Sequence, residues 1–436
     1  MKLPSKGPKV ELNTEIYKLL NNTSLSALFI KAQQDYYNWD KVKYIKLPEG
    51  TKPEIFWSAL KIKREMNYIH LQFGYYHFKF CNTPDLQKLL HDFDLNFGGS
   101  IGSESKINEA DKNRYLVSSI MEEAIASSKI EGAVTTRKRA KEMLLHNRKP
   151  VDVSEKMIMN NYLTIQHIRQ IKHEPLTLQL LLEIQGLITA DTLEGQADEG
   201  QLRTDNEVKV VDTNDGAIMH EPPSAHELEK LLEDLFSFFN TDDDDKFIHP
   251  IVKACIIHFL IGFIHPFVDG NGRTARALFY WYMLKHNYWL TEYLSISGII
   301  YKSKVAYGKA YLDTEIDNND LTYFIKYKMH VLEQAYKSLQ EYLHRKQQEN
   351  KASLSYARIR NINDRQSLMI QWLKDEPERI LTVPEIELLF KVANQTARND
   401  LDGLVKIGLV EILNNNRKTK SYARADKFES VLNSLS

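Results

Sequence analysis

Cysteine is nearly missing from this chain: Cys81 and Cys255 are the only two in 436 residues. Two thiols exclude a disulfide framework and a thiolate metal site and suit a reducing compartment. Both are expected as small buried apolar groups. Glycine (18) and proline (13) are also sparse, and with 43% apolar and 26% charged residues this excludes a fibrous or low-complexity chain. No charge of one sign dominates, since 57 Lys and Arg face 58 Asp and Glu for a net charge of −1. No whole-molecule field therefore pulls the protein towards nucleic acid or an anionic membrane, and any such binding must be local. Long hydrophobic runs are missing too. None approaches the roughly 20 residues that span a bilayer, and the start, Met1 to Pro8, lacks the apolar core of a signal peptide. A cytoplasmic protein without membrane contact is expected.

What is present reads mostly as helix. The length exceeds what one core usually supports, so two or three domains are expected. Residues 1–105 mix aromatic and charged residues and form a companion helical region ending at the Gly/Ser break Gly98–Ser103. Apolar residues recur at spacings of three and four from Asn108 to Leu145 and from Val153 to Leu193, which predicts helices. Two short extended runs, Val208–Val211 and Ala217–Met219, flank an Asn-Asp-Gly turn and predict a β-hairpin. Helix resumes at Ala225, breaks at the acidic loop 241–246, and restarts behind His249-Pro250, proline suiting a first helical turn. Ile251–Ile264 is apolar all round and should be a central buried helix. Residues 331–360 are read as a helix and a polar linker, 346–353, and 361–436 as a separate C-terminal module.

The segment His265-Pro266-Phe267-Val268-Asp269-Gly270-Asn271-Gly272-Arg273-Thr274-Ala275-Arg276 concentrates the chemistry. A buried helix runs into His265, a Gly/Asn loop follows, and a new helix begins near Gly272. Its N-terminus and loop N–H groups favour an anion such as phosphate. Gly270 and Gly272 permit close backbone approach. Arg273 and Arg276, three apart, can both face that anion. Asp269 offers a hard oxygen to magnesium, and His265 can act as a general base on a hydroxyl. Singly, each piece has a plainer reading: a packed histidine, a turn, two solvated arginines. Their company is what argues for a site.

This segment resembles the signature of the Fic-domain adenylyltransferases, His-Pro-Phe-x-Asp-Gly-Asn-Gly-Arg-x-x-Arg, at every specified position. The resemblance implies an all-α fold, a compact helical bundle with a small β-hairpin flap. It implies that His265 deprotonates the target hydroxyl and that Phe267 anchors the loop. It implies that Asp269 holds Mg2+ between the α- and β-phosphates of ATP. Gly270, Asn271, Gly272 and Arg273 would cradle the phosphates, with Arg276 reaching the γ-phosphate. AMP would pass from ATP to a Ser, Thr or Tyr hydroxyl of a target protein, or of the chain itself, and pyrophosphate would leave. Val208, Lys209, Val210 and Ile218 fall where the family's flap aligns the target by strand addition. Tyr307 and Asp317 fall on the adenine side, Asp317 standing where relatives often carry Asn.

Upstream, Ser127-Ser128-Lys129-Ile130-Glu131-Gly132 is similar to the family's inhibitory motif, whose glutamate, here Glu131, would pair with Arg276 and occupy the γ-phosphate's anchor, with Ser127 beside it. The plainer reading is a helix stopping at Gly132. In some relatives the same glutamate also supports AMP removal, and the sequence leaves both modes open.

The C-terminal module resembles a winged helix-turn-helix. Thr382 with Glu385 fits a capping box, a second helix opens at Asn394, and Asn414–Lys420 would be a basic wing. Asn394, Gln395, Thr396 and Arg398 would then meet base edges, and Arg417, Lys418 and Lys420 phosphates. A protein-contact or homodimerisation module fits the same pattern. The whole-chain alternatives are thus an autoinhibited adenylyltransferase, a nucleotide-sensing DNA-binding regulator without efficient transfer, and a relative that transfers the γ-phosphate.

Overall fold

A computed structural model describes residues 3–10, 14–98, 109–212, 215–241, 246–357, 359, 361–414 and 420–435. The Gly/Ser break from 99 onward, the centre of the acidic loop, the tip of the 208–219 hairpin and most of the basic wing, Arg417 and Lys418 included, lie outside the described residues.

The N-terminal region holds α1 (Thr14–Leu20), α2 (Ser26–Gln34), α3 (Trp39–Val42), α4 (Pro53–Glu65) and α5 (Pro84–Phe93). It is not wholly helical as expected: β1 (Tyr68–Phe73) and β2 (Tyr76–Cys81) pair antiparallel in register Tyr68 with Cys81. The reason is visible in retrospect, because Gly74, at φ +55°, turns two aromatic-rich runs back on each other. Ile16, Phe29, Phe56 and Trp57 form this region's own small core.

The centre is a helical bundle. α6 (Glu109–Ile130) ends at Gly132, whose φ of +98° suits glycine alone. α7 (Arg137–Leu145), α8 (Val153–Ile171) and α9 (Leu178–Thr189) follow, so each long helical stretch read from the sequence is two helices. β3 (Val210–Val211) and β4 (Ile218–His220) make the expected hairpin, shorter than anticipated, with Val208 and Lys209 outside the paired residues. After α10 (Leu228–Asn240) comes α11 (Pro250–Ile264), with Pro250 in its first turn and His249 Nδ1 accepting from the Ile251 N–H at 3.3 Å. All of α11 except Pro250 and Gly262 is buried. α12 (Asn271–Lys285), α13 (Ile296–Lys302), α14 (Lys304–Ile316) and α15 (Thr322–Ala357) complete the bundle. The 346–353 stretch, expected as a linker, continues α15 as helix.

The C-terminal module runs α16 (Asp364–Asp375), β5 (Ile380–Thr382), α17 (Val383–Phe390), α18 (Asn394–Ile407), β6 (Val410–Asn414), β7 (Lys420–Arg424) and α19 (Phe428–Leu435). Its sheet has the order β5-β7-β6, antiparallel throughout. The class is all-α with short strands. Two cores organise it: one surrounds α11 and α12, and another unites α6 and α8 with the C-terminal module through Ile120, Ile158, Trp372 and Phe390. No helix among the described residues is long and apolar enough to cross a membrane.

Candidate active site

The α11–α12 junction turns on two left-handed residues, His265 at φ +49° and Gly270 at φ +86°. Leaving the helix at His265 aims the imidazole back over the last turn, where Nδ1 lies 3.0 Å from the Gly262 carbonyl oxygen. A carbonyl only accepts, so Nδ1 carries the hydrogen and Nε2 presents its lone pair. Burial lowers the His265 pKa, against which the Gly262 hydrogen bond acts only in part. The imidazole is therefore neutral at pH 7 and can accept a proton.

The loop is latched from inside. The Asn271 amide accepts from the Phe267 N–H (3.0 Å) and donates to the Phe267 carbonyl (2.8 Å), while the Phe267 ring is fully buried. The Asn271 side chain thus serves the loop itself rather than facing outward to a phosphate. Gly270 has no room for a side chain, since a Cβ would stand 2.9 Å from Thr189 Cγ2.

Asp269 keeps a half-exposed carboxylate. One oxygen accepts from the Gly270 N–H at 2.6 Å and the other from Arg273 Nη2 at 3.0 Å. Arg273 is buried and also donates to the Ile188 carbonyl at 3.1 Å, leaving its Nε without a hydrogen bond among the described residues.

Arg276 is buried and held by the end of α6. Nε donates to Ser127 Oγ (2.8 Å), Nη2 to the Ser127 carbonyl (3.1 Å) and to Glu131 Oε1 (2.8 Å). Nη1 makes no hydrogen bond among the described residues. Burial pushes the Glu131 carboxyl up, but the charge and hydrogen bond of Arg276 outweigh it and hold it below its ordinary value. The Glu131 carboxylate also lies against the first turn of α12, where a methyl on Gly272 would overlap its Oε1. A carboxylate there is favoured by the helix N-terminus as a phosphate would be.

Four further residues support this frame. Arg203 donates through Nε to the His265 carbonyl (2.8 Å), through Nη1 to the Asp205 carbonyl (2.7 Å) and through Nη2 to the Pro223 carbonyl. Gln185 donates to the Asp269 carbonyl at 3.1 Å and accepts from the Gly200 N–H at 2.5 Å; an amide in the otherwise apolar last turns of α9 was its only signal. His220 on β4 donates from Nε2 to the Phe263 carbonyl (2.8 Å) and from Nδ1 to Glu315 (2.7 Å). Lys304 donates to the Lys129 and Ile130 carbonyls at 2.9 and 3.0 Å, capping α6 just before Glu131.

Of the remaining expected residues, Tyr307 lies beside Arg276, whose charge acts on its hydroxyl. Asp317 is drawn elsewhere: its carboxylate pairs with Lys61 and accepts from Tyr323, both at 2.9 Å. On the hairpin, Lys209 pairs with Glu221 at 3.0 Å, and Val211 and Ile218 are exposed.

The helical bundle thus brings together a buried histidine, a latched Gly/Asn loop and two buried arginines. Residues 175–283 match the Fic/DOC family and form a Fic domain; residues 68–144 match a domain of unknown function, DUF4172. The chain is 44% identical over 59 residues to a protein adenylyltransferase Fic of Nematostella vectensis, a match covering 14% of each chain. It is 33% identical over 69 residues to the protein of that name from Drosophila grimshawi, 16% of this chain and 14% of the relative. The matches thus span about 14% of the length of these curated relatives. A Fic family protein from Desulfovibrio desulfuricans shares the fold at a TM-score of 0.50 and 18% identity, over 82% of this chain and 99% of that one.

Proposed function

We propose that the protein is an adenylyltransferase that moves AMP from ATP to a protein hydroxyl, held in check by Glu131. The observation that carries the reading is the ion pair of Arg276 with Glu131 beside the N-terminus of α12, where a buried guanidinium suits an anion such as a phosphate. His265 Nε2 takes the proton of the attacking hydroxyl. The hydroxyl oxygen bonds to the α-phosphorus as the bond to the β-phosphate oxygen breaks, and pyrophosphate leaves. Arg273 neutralises phosphate charge, and Arg276 holds the γ-phosphate once Glu131 withdraws.

Asp269 suits magnesium, being a half-exposed carboxylate at the phosphate-facing loop. When bound, the ion would neutralise charge on the α- and β-phosphates. The target segment would add to the edge of the 208–220 hairpin, whose Val208, Val210 and Ile218 present backbone and apolar side chains.

A second reading concerns partners. The order of helices and strands from 364 to 424 suits a winged helix-turn-helix, and Asn394, Gln395 and Arg398 lie exposed on α18. We propose that this face binds duplex DNA; a protein contact is the other outcome.

Incubating wild type, Glu131→Gly and His265→Ala with α-labelled ATP and magnesium tests the enzyme reading. Label should rise in the first variant and vanish in the second. No label on Glu131→Gly protein or added substrates would sink it.

A further inference from the structure

Three side chains that the proposed transfer does not use, two fully buried and one partly buried, run in a line towards Arg276. Lys328 on α15 is fully buried, its Nζ 3.3 Å from His258 Nδ1 and 4.0 Å above the Phe279 ring. His258 on α11, also fully buried, places Nε2 2.8 Å from the Tyr307 hydroxyl. Tyr307 on α14 stands beside both Arg276 and Glu131, whose charges act on its hydroxyl.

The direction of this chain follows from hydrogen-bond chemistry. A protonated lysine only donates, so His258 Nδ1 must accept. The neutral ring then carries its hydrogen on Nε2 and donates it to the Tyr307 oxygen. With that oxygen accepting, the Tyr307 hydrogen has to turn to the other side of the ring, where the Tyr311 hydroxyl and the Arg276 guanidinium are its neighbours. The neighbouring Arg276 Nη1 lacks a hydrogen bond among the described residues. One buried donor, Arg276 Nη1, thus lacks an acceptor next to a hydroxyl whose oxygen is already engaged by His258, an arrangement costly unless an anion arrives.

We infer that Tyr307 is a second donor to the terminal phosphate of a nucleoside triphosphate, beside Arg276, and that Lys328 is a positioning residue which fixes the direction of the Tyr307 hydroxyl through His258. This rests on the nucleotide reading above and deepens it: the pair would make the site discriminate triphosphate from diphosphate. It also moves Tyr307 from the adenine to the phosphate end of the ligand.

Lys328 can switch. Burial lowers its pKa to about 8, with Cys255 of α11, Glu123 of α6 and Arg276 of α12 as the other charged or titratable groups facing it. Once deprotonated, Nζ can accept from His258 Nδ1–H. The ring then accepts at Nε2 and takes the Tyr307 hydrogen away from the phosphate.

The test uses the full chain carrying Glu131→Gly, to free Arg276, and His265→Ala, to prevent turnover, with affinities for Mg-ATP and Mg-ADP measured by calorimetry. Adding Tyr307→Phe should weaken ATP about tenfold, the scale of one hydrogen bond to a charged acceptor, and leave ADP within about twofold. The ATP preference of the parent should fall as pH rises through about 8 and be pH-independent with Lys328→Met. Tyr307→Phe removes one oxygen and keeps the ring, so it covers the case in which Lys328→Met does not fold. Equal losses of ATP and ADP, no loss of either, or a pH-independent preference in the parent would overturn the inference. A parent that binds no ATP would overturn the nucleotide reading itself.

Discussion

Glu131 Oε1 accepts a hydrogen bond from Arg276 Nη2 at 2.8 Å across 145 positions of sequence. The contact joins the residue that follows α6 to the second turn of α12. It couples two parts of the molecule that lie in different hydrophobic cores, and under the proposed function the ease with which it breaks would set how much of the protein can place a γ-phosphate.

Restraint on Arg276 is shared, so its loss should be graded. Glu131→Gly is expected to raise self-labelling roughly 5- to 150-fold, the range of a coupling of 1–3 kcal/mol. Ser127→Ala deletes only the Oγ contact at 2.8 Å and keeps the carbonyl contact at 3.1 Å, so it should raise labelling by a smaller factor. Initial rates with α-labelled ATP decide this; a Ser127 effect equal to that of Glu131 would show that the carboxylate is not the main brake.

Arg203 grips the backbone on both sides of the base. Arg203→Lys keeps the charge but cannot reach the His265, Asp205 and Pro223 carbonyls together, because the fork is lost. In a Glu131→Gly background it should lower kcat about tenfold or more while ATP affinity changes little, since misplacing a base by an ångström is enough. Parallel rate and calorimetric measurements separate the two.

The two histidines at the site titrate in opposite directions. Burial depresses His265, so it stays neutral below the ordinary histidine value near 6.5, and the acid limb of kcat/KM should fall below that pH. Burial also pulls on His220, but the hydrogen bond and charge of Glu315 raise it above its ordinary value. A raised folded pKa stabilises fully below the unfolded value and is lost as pH rises through the folded one. Melting temperature should therefore decline on the alkaline side of 6.5, and Glu315→Gln should flatten that decline. NMR titration of the two imidazoles checks both assignments.

Much of this site could be read from the sequence because its parts are contiguous. The segment from His265 to Arg276 needs only a helix, a turn and a helix to place the base, the loop and both arginines, and local rules supply those. Glu131 was legible only through its motif, since nothing local says which arginine it meets. Arg203, His220, Gln185 and Lys304 act through backbone carbonyls, which carry no sequence signal. Asn271 shows the converse: its position in the motif suggested a phosphate ligand, whereas its amide bonds to Phe267 within the loop. The β1–β2 hairpin was missed because its aromatic runs are short and charged between, and pairing across Gly74 is a tertiary decision.

The C-terminal module packs directly on α6, the helix that leads into Glu131, and this makes a test of the proposed regulation available. Asn113 Nδ2 on α6 donates to the Leu388 and Leu389 carbonyls at 2.8 and 3.0 Å, and Arg114 lies 5.6 Å from the Trp372 and Phe390 rings. Trp372 stacks on Phe390 at 5.6 Å. Trp372→Ala should cost about 3–5 kcal/mol locally. By loosening the seat of α6 it should also raise labelling while Glu131 is intact. If the exposed face of α18 binds duplex DNA, the full chain should bind more weakly as salt rises, and Arg398→Ala should weaken it further. Labelling rates with and without duplex then show whether occupancy of that face reaches Arg276. A duplex that binds and leaves the rate of wild type unchanged would separate the two functions, and the same rate in Trp372→Ala as in wild type would mean that α6 holds Glu131 in place without help from the module.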